Sequence, residues 1–532
     1  MKLRSIIGAA AIGGLALSAC VDLEVINPNA PDAERALGTP GDVEALIGGS
    51  WENWWNAGYA SNSAGPVLAT VSYQHSATAA NFGMVEFSGW PKVPVHHLTA
   101  NVFYDQFANN WVWQYRAVAA AVDGLKAIEG GVELPADRLA RAKAFGYFVL
   151  GLAHAGAAAM YDQAYIYDPS IPREDVALHP YMDVMDAAMG YFDQALTESQ
   201  GAASIPATWM SRDVSAAELR RLIHSYKARY RAAVARTPAE RAAVDWQEVI
   251  DDVTAGITAD WSVDVVSGSG FSSGALVNMP RYGPWGQLSY QVLGMADQSG
   301  DYQEWIAREP FDRHPNLSTD QSSDPFLIIT PDLRFPQGAT IAQQQANDGV
   351  LFEIPTASGG YGAQWNRPDR GPFRWSYYRY LGNNMWLQTS ANRTDGHKEI
   401  TVKEMRLLEA EAHYNLGAMG TAATLINVTR TAAGLNATDA AGTNTSCVPK
   451  LPDGSCGDLF EMLKWEMRLE TMYQGLHLAP WYFHGRGWGD LAEGTFLQMP
   501  VPGREAELLF MAPYTFGGPG ANGSAPVGTY GY

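Results

Sequence analysis

Two blocks of helical periodicity flank a long stretch that has none, and this division limits what the 532-residue chain can fold into. Thr39-Pro40-Gly41-Asp42 opens the first block, with a threonine to cap and a proline in the first turn. Val43, Leu46 and Ile47 then share one face. Within Phe103 to Ile128, the residues Phe107, Trp111, Tyr115, Val118 and Val122 recur at steps of three and four. Leu134 to Tyr161 is rich in Ala and Gly, and Tyr181 to Thr197 uses Val184, Ala188, Tyr191, Phe192 and Leu196. Ala216 to Val234 and Trp246 to Ile257 complete the block. In the second block Met405, Leu408, Ala412 and Leu416 stripe a helix over Val402 to Leu416 that Gly417 breaks. Another runs to about Ala433, and a third covers Leu459 to Tyr473. Alanine-rich helices in antiparallel pairs pack closely, but no strict period of about 34 residues is visible. The pattern predicts a mainly α fold: an irregular tetratricopeptide-like helical-repeat scaffold with a large loop-rich region and few short strands.

The organisation follows from these blocks: a scaffold over 41–260, a loop-rich ligand-binding region over 261–398, and a C-terminal region over 399–532. In the middle region Gly, Ser, Pro and Asn rise, and Trp285, Trp305, Trp365, Trp375 and Trp386 appear. It is longer than a compact connection should be, and loops on a rigid scaffold are where binding sites sit. The chain holds 17 Trp and 25 Tyr, more rings than a core alone needs. Trp285, Tyr290, Trp305 and Trp365 are the first candidates for a ligand platform, with Tyr73 and Trp90 behind them. Trp51, Trp54 and Trp55 end the first helix and read as core.

The first residues are of a different kind. Lys2 and Arg4 precede an apolar run from Ile6 to Leu17, too short to cross a bilayer of roughly 30 Å as a helix. Leu17-Ser18-Ala19-Cys20 resembles the lipobox of bacterial lipoproteins. That resemblance implies a signal peptide over 1–19, lipidation of Cys20, and a Pro/Asn/Asp tether over 20–40 that includes Asn27-Pro28-Asn29-Ala30-Pro31-Asp32. No other stretch reaches eighteen apolar residues, so the rest reads as a soluble body on a lipid tether. Cys447 and Cys456 lie nine positions apart in a Gly/Thr/Asn/Ser/Pro/Asp loop. Outside the cytoplasm they read as a local disulfide contributing about 2–3 kcal/mol. The net charge is −20, and −22 once the two charges of Lys2 and Arg4 leave with the signal. An acidic surface disfavours nucleic acid and anionic membrane patches.

Enzyme motifs are thin. Gly270-Phe271-Ser272-Ser273-Gly274 formally fits a nucleophile elbow, but Val263, Val265 and Val266 make a poor strand before it and Pro280 and Pro284 cut short any helix after it. Adjacent His96 and His97 point to opposite faces of a strand, and the acidic stretch Asp297 to Asp324 has no diagnostic calcium spacing. There is no H-E-x-x-H, P-loop or C-x-x-C, so no cofactor is expected.

The C-terminal block carries a recognisable series. It starts with Leu407-Leu408-Glu409-Ala410-Glu411-Ala412, Asn415-Leu416-Gly417, Ala422-Ala423, Leu425-Ile426-Asn427, Arg430 and Ala433-Gly434-Leu435. Glu466, Arg468, Glu470 and Gly475 follow, then Arg486 to Asp490-Leu491, and Pro500-Val501-Pro502 with Glu505. In this order, and with the lipobox, the Asn-Pro tether and Thr39 to Gly48, the series resembles SusD/RagB-family outer-membrane lipoproteins over most of the chain. Leu476 to Gly485 is a longer spacing than that pattern has, and the tail from Phe510 matches nothing in it. The resemblance implies a cell-surface protein, anchored in the outer membrane through lipid, that is not an enzyme. Such a protein captures an oligosaccharide or other nutrient on aromatic platforms and hands it to a TonB-dependent, SusC-like transporter. Sugar rings have apolar faces that stack on Trp and Tyr, while Asn, Asp and Arg take the hydroxyls. The acids Asp22 and Glu24 after Cys20 suit a surface-export signal. Glu409 and Glu411 are then structural, satisfying Arg430 or backbone amides. The alternative is a surface glycoside hydrolase, which requires two carboxylates facing each other about 5–10 Å apart.

Overall fold

The computed structural model describes residues 37–60, 62–76, 83–101, 103–265, 271, 275, 288–313, 326–354, 376–381 and 396–531. Ten long helices form the frame: α1 Pro40–Tyr59, α2 Tyr104–Glu129, α3 Ala136–Met160, α4 Tyr181–Glu198, α5 Ala216–Ala233, α6 Trp246–Ala255, α7 Val402–Asn415, α8 Met419–Ala432, α9 Leu459–Glu470 and α10 Pro480–Trp488. Each of the first six packs on the next, α6 packs on α7, α7 on α8, and α9 lies across both. This is the stacked, tetratricopeptide-like arrangement that the periodicity predicts. Among the described residues no helix is long and apolar enough to cross a membrane.

Local chemistry sets the elements. The Thr39 hydroxyl accepts from the Asp42 amide at 3.3 Å and Pro40 starts α1, which buries Val43, Ile47, Trp51, Trp54 and Trp55. The small residues of α3 allow close packing: a Cβ at Gly151 would lie 2.5 Å from the Phe192 ring of α4. Strands are short and paired in twos: β1 Val95–His96, β2 Gln163–Tyr165, β3 Leu178–Pro180, β4 Trp261–Val263, β5 Phe352–Glu353, β6 Arg379–Tyr380, β7 His397–Ile400 and β8 Thr515–Phe516. β4 pairs antiparallel with β7, Trp261 opposite Ile400 and Val263 opposite His397. The loop-rich segment between them is therefore an excursion closed at its base, inserted between two helices, α6 and α7, that pack on each other.

Buried charge ties the excursion to the frame. Arg229 of α5 donates to Glu399 Oε1 at 2.8 Å and to both carboxylate oxygens of Glu404 at 2.6 Å. The Tyr59 hydroxyl bonds the same Glu399. Burial pushes the Glu399 carboxyl up, and the Arg229 guanidinium pulls it back. Gly475 follows from this cluster: its φ is +49°, and a Cβ there would meet the Arg229 guanidinium at 2.5 Å. Arg334, inside the excursion, donates to Asp332 at 2.7 Å, to Glu466 at 2.8 Å and to Glu470 at 3.2 Å on α9.

One expectation is corrected, and two unmatched stretches find their place. Glu411 does not satisfy Arg430; its carboxylate takes Arg241 at 2.8 and 2.6 Å and the Trp488 indole at 2.7 Å. Arg430 instead donates to Asn436 O, Val448 O and Asn444 Oδ1, which fixes the loop closed by the Cys447–Cys456 disulfide. The unmatched spacing Leu476 to Gly485 leads through a buried turn into α10, whose every residue is buried. The tail after Phe510 is also built in: β8 pairs with β1, and the buried Tyr530 hydroxyl donates to Glu461 at 2.7 Å.

Arg229→Met should cost about 3–5 kcal/mol, because it leaves Glu399 and Glu404 buried without their cation. Replacing all three with apolar residues of similar size should cost less than the single change, as denaturant unfolding of both variants would show.

Candidate functional site

The segment between α1 and α2 meets the excursion at one junction. The buried helix Gly65–Val71 turns at Tyr73, whose φ is +59°, and the chain then bridges antiparallel from His75 to Leu288. Leu288 bonds onward to Tyr378 O at 3.1 Å and accepts from Ser376 N at 2.9 Å. Three distant stretches thus lie side by side. The contacts beneath them come from the C-terminal helices: the Trp481 indole donates to Ser72 O at 2.9 Å and Gln74 donates to Leu478 O at 3.0 Å. His75 Nε2 lies 2.9 Å from Thr70 Oγ1, and Nδ1 lies 3.1 Å from the Tyr473 hydroxyl. Burial lowers this histidine to about 3, so it is neutral and pairs as imidazole.

Trp90 lies on the turn that the Tyr73 side chain reaches and is half-buried. Behind it the Tyr73 hydroxyl donates to Gly89 O at 3.2 Å. The buried Lys92 ammonium lies 3.5 Å from the Tyr73 ring centroid and donates to Phe87 O at 2.9 Å. That cation holds the turn carrying Trp90 against the frame.

The other candidate rings fall into two groups. Tyr73, Tyr290 and Trp305 are 2%, 1% and 3% exposed, so as placed they are core rings with no face left for a ligand. Tyr290 stacks on Phe326 at 3.9 Å, and the Trp305 indole donates to Arg313 O at 3.2 Å. Both rings sit on short helices, Tyr290–Leu293 and Asp301–Ala307, whose large side chains pack this part of the excursion. Trp285, Trp365 and Cys20 lie outside the described residues, as does Ser272. Trp285 stands three positions before Leu288 in sequence. Reading by region also passed over a half-buried aromatic group around β2. There the Tyr115 hydroxyl accepts from Tyr165 N at 2.6 Å and donates to Tyr165 O at 3.0 Å, while Tyr165 donates to Glu505 at 3.1 Å. Its signal was the Phe107, Trp111, Tyr115 stripe, which marks the core equally well.

Metal and acid–base chemistry find little support. His96 and His97 sit at the end of β1; His97 is buried, lowered by burial to about 3, and stacked on Phe107 at 5.2 Å. Among the described residues no group of three His, Cys, Asp or Glu is placed to hold a metal ion. Of the buried glutamates, Glu44, Glu399, Glu404, Glu411, Glu466 and Glu470 are each held by an arginine, and Glu353 of β5 is buried as well.

A helical stack with a long looped excursion, braced by buried arginines, defines the class of protein. No family model matches the chain, and no curated relative does. Among solved structures, a SusD homolog from Parabacteroides distasonis ATCC 8503 superposes with a TM-score of 0.52 at 12% identity, over 88% of this chain and 93% of that one. A SusD superfamily protein from Bacteroides vulgatus ATCC 8482 gives 0.49 at 13% identity, over 84% and 88%. A laminarin-binding SusD-like protein gives 0.48 at 14% identity, over 91% and 100%. The chain has the SusD fold, on the strength of the Parabacteroides structure.

The junction should be acid-sensitive. His75 has a folded value of about 3 against an ordinary 6.5, so the unfolded chain takes up the proton first. Its contribution is complete above pH 6.5 and falls by about 1.4 kcal/mol per pH unit as pH drops toward the folded value. Urea unfolding between pH 7 and 5 should show His75→Gln with a shallower pH dependence than the parent, by one proton's worth.

Proposed function

We propose that the chain is a SusD/RagB-type nutrient-binding lipoprotein that captures an oligosaccharide and passes it to a TonB-dependent, SusC-like transporter. The observation that carries this reading is the SusD fold together with a half-buried tryptophan, Trp90, on the turn that the Tyr73 side chain holds. Half-burial suits a platform, because a ring partly at the surface can meet the apolar face of a sugar. Trp285, three positions before Leu288, is the natural second ring, and Trp365 a third. The lipobox ending at Cys20 supports an outer-membrane anchor with the body facing out of the cell. Hand-over needs no covalent step, so the protein works by binding alone and not as an enzyme.

A glycan screen on the chain lacking residues 1–20, following tryptophan fluorescence and product release together, tests the reading. Binding without turnover is expected, and Trp90→Ala should weaken it about tenfold or more. Turnover of a bound glycan would overturn it in favour of a surface glycoside hydrolase.

A further inference from the structure

On the frame, away from the junction, α4, the end of α5 and the turn leading into α6 enclose a groove. Met182, Met185 and Met189, at helical steps of three and four on α4, form one wall, and Val234 and Val244 line the other side. Met182 is 43% exposed although it continues the buried face of its helix. No aromatic ring lines the groove, so it is not a sugar platform. Three carboxylates, Asp186, Glu240 and Asp245, stand among its lining residues with one guanidinium, Arg231. Arg231 is already matched by Asp252 at 2.9 Å and Glu248 at 3.1 Å.

We propose that this groove docks a basic amphipathic segment of a partner protein, which seats apolar side chains on the three methionines and sets Lys or Arg against Asp186, Glu240 and Asp245. Unbranched thioethers re-pack around differently shaped apolar side chains, which suits an anchor pocket. Charge chooses the occupant. A second copy of this chain is opposed by its own charge of −20. Its most exposed apolar tip, Leu508 and Phe510, is moreover preceded by Glu505 and Glu507, which would meet the groove's carboxylates with like charge. This inference is independent of which nutrient the junction binds.

The test is fluorescence anisotropy on the purified chain with a labelled amphipathic helix of leucine and lysine. A scrambled peptide of the same composition and a leucine–glutamate helix are the comparisons. The leucine–lysine helix should bind best, and about tenfold more weakly to Met182→Glu and to Asp186→Lys. Leu416→Glu, an exposed apolar position at the end of α7, should leave affinity unchanged. Melting curves that match the parent would show that the variants fold. Absence of binding, equal binding of the scrambled peptide, or equal affinity of parent and Met182→Glu would overturn the proposal. So would a dimer of the chain that Met182→Glu dissolves.

Discussion

The arginines buried at the helix interfaces are the constraint on which the rest of this architecture depends. A guanidinium taken from water is costly unless each of its donors finds an acceptor, and its planar fork restricts where those acceptors can sit. Arg229 meets this with two glutamates that lie beyond the excursion in sequence, and Arg334 with one aspartate and two glutamates of α9. Each therefore specifies a pairing between distant stretches that apolar packing alone would leave adjustable. The sheets cannot do this work, since every one has two strands of two to four residues. Where the described strands are this short, directional ion pairs set the register that a longer ladder of hydrogen bonds would otherwise set.

The helical frame was legible because amphipathic period is written locally. α4 was predicted over Tyr181 to Thr197 and is found over Tyr181–Glu198, and α7 over Val402 to Leu416 and found over Val402–Asn415. α10 was missed because Pro-Trp-Tyr-Phe-His-Gly-Arg-Gly-Trp is short, carries two glycines and is buried on every side, so no solvent-facing polar stripe marks it. Its punctuation was nevertheless present, with Pro480 in the first turn and Gly489 just past the end at φ +77°. The partner of Glu411 was misassigned for a different reason. Arg430 is near in sequence and Arg241 is not, and nothing local says that α7 packs beside the turn that carries Arg241.

The candidate site was legible only in part, and the reason is how aromatic residues are used. Richness in Trp and Tyr signals either a ligand platform or a loop that has to make its own core. In this excursion the second use accounts for much of it. Phe335 packs on Phe352 at 4.7 Å and lies parallel to Trp465 of α9 at 6.3 Å, while Tyr290, Phe326 and Trp305 form a second knot. Rings in such knots are as fixed as any in the helical frame.

It follows that a binding face on this fold is better sought where a ring is only half-buried than where rings are packed into a core. Trp90 meets that condition. Its neighbour Tyr73 is already engaged by Lys92 and Gly89, so the turn is held from behind while the indole stays half-covered. A ring pre-positioned in this way loses little conformational freedom when a ligand stacks on it, so more of the contact energy is retained as affinity. The bracing that buries Tyr73 thus also steadies the backbone that carries the proposed platform, Trp90.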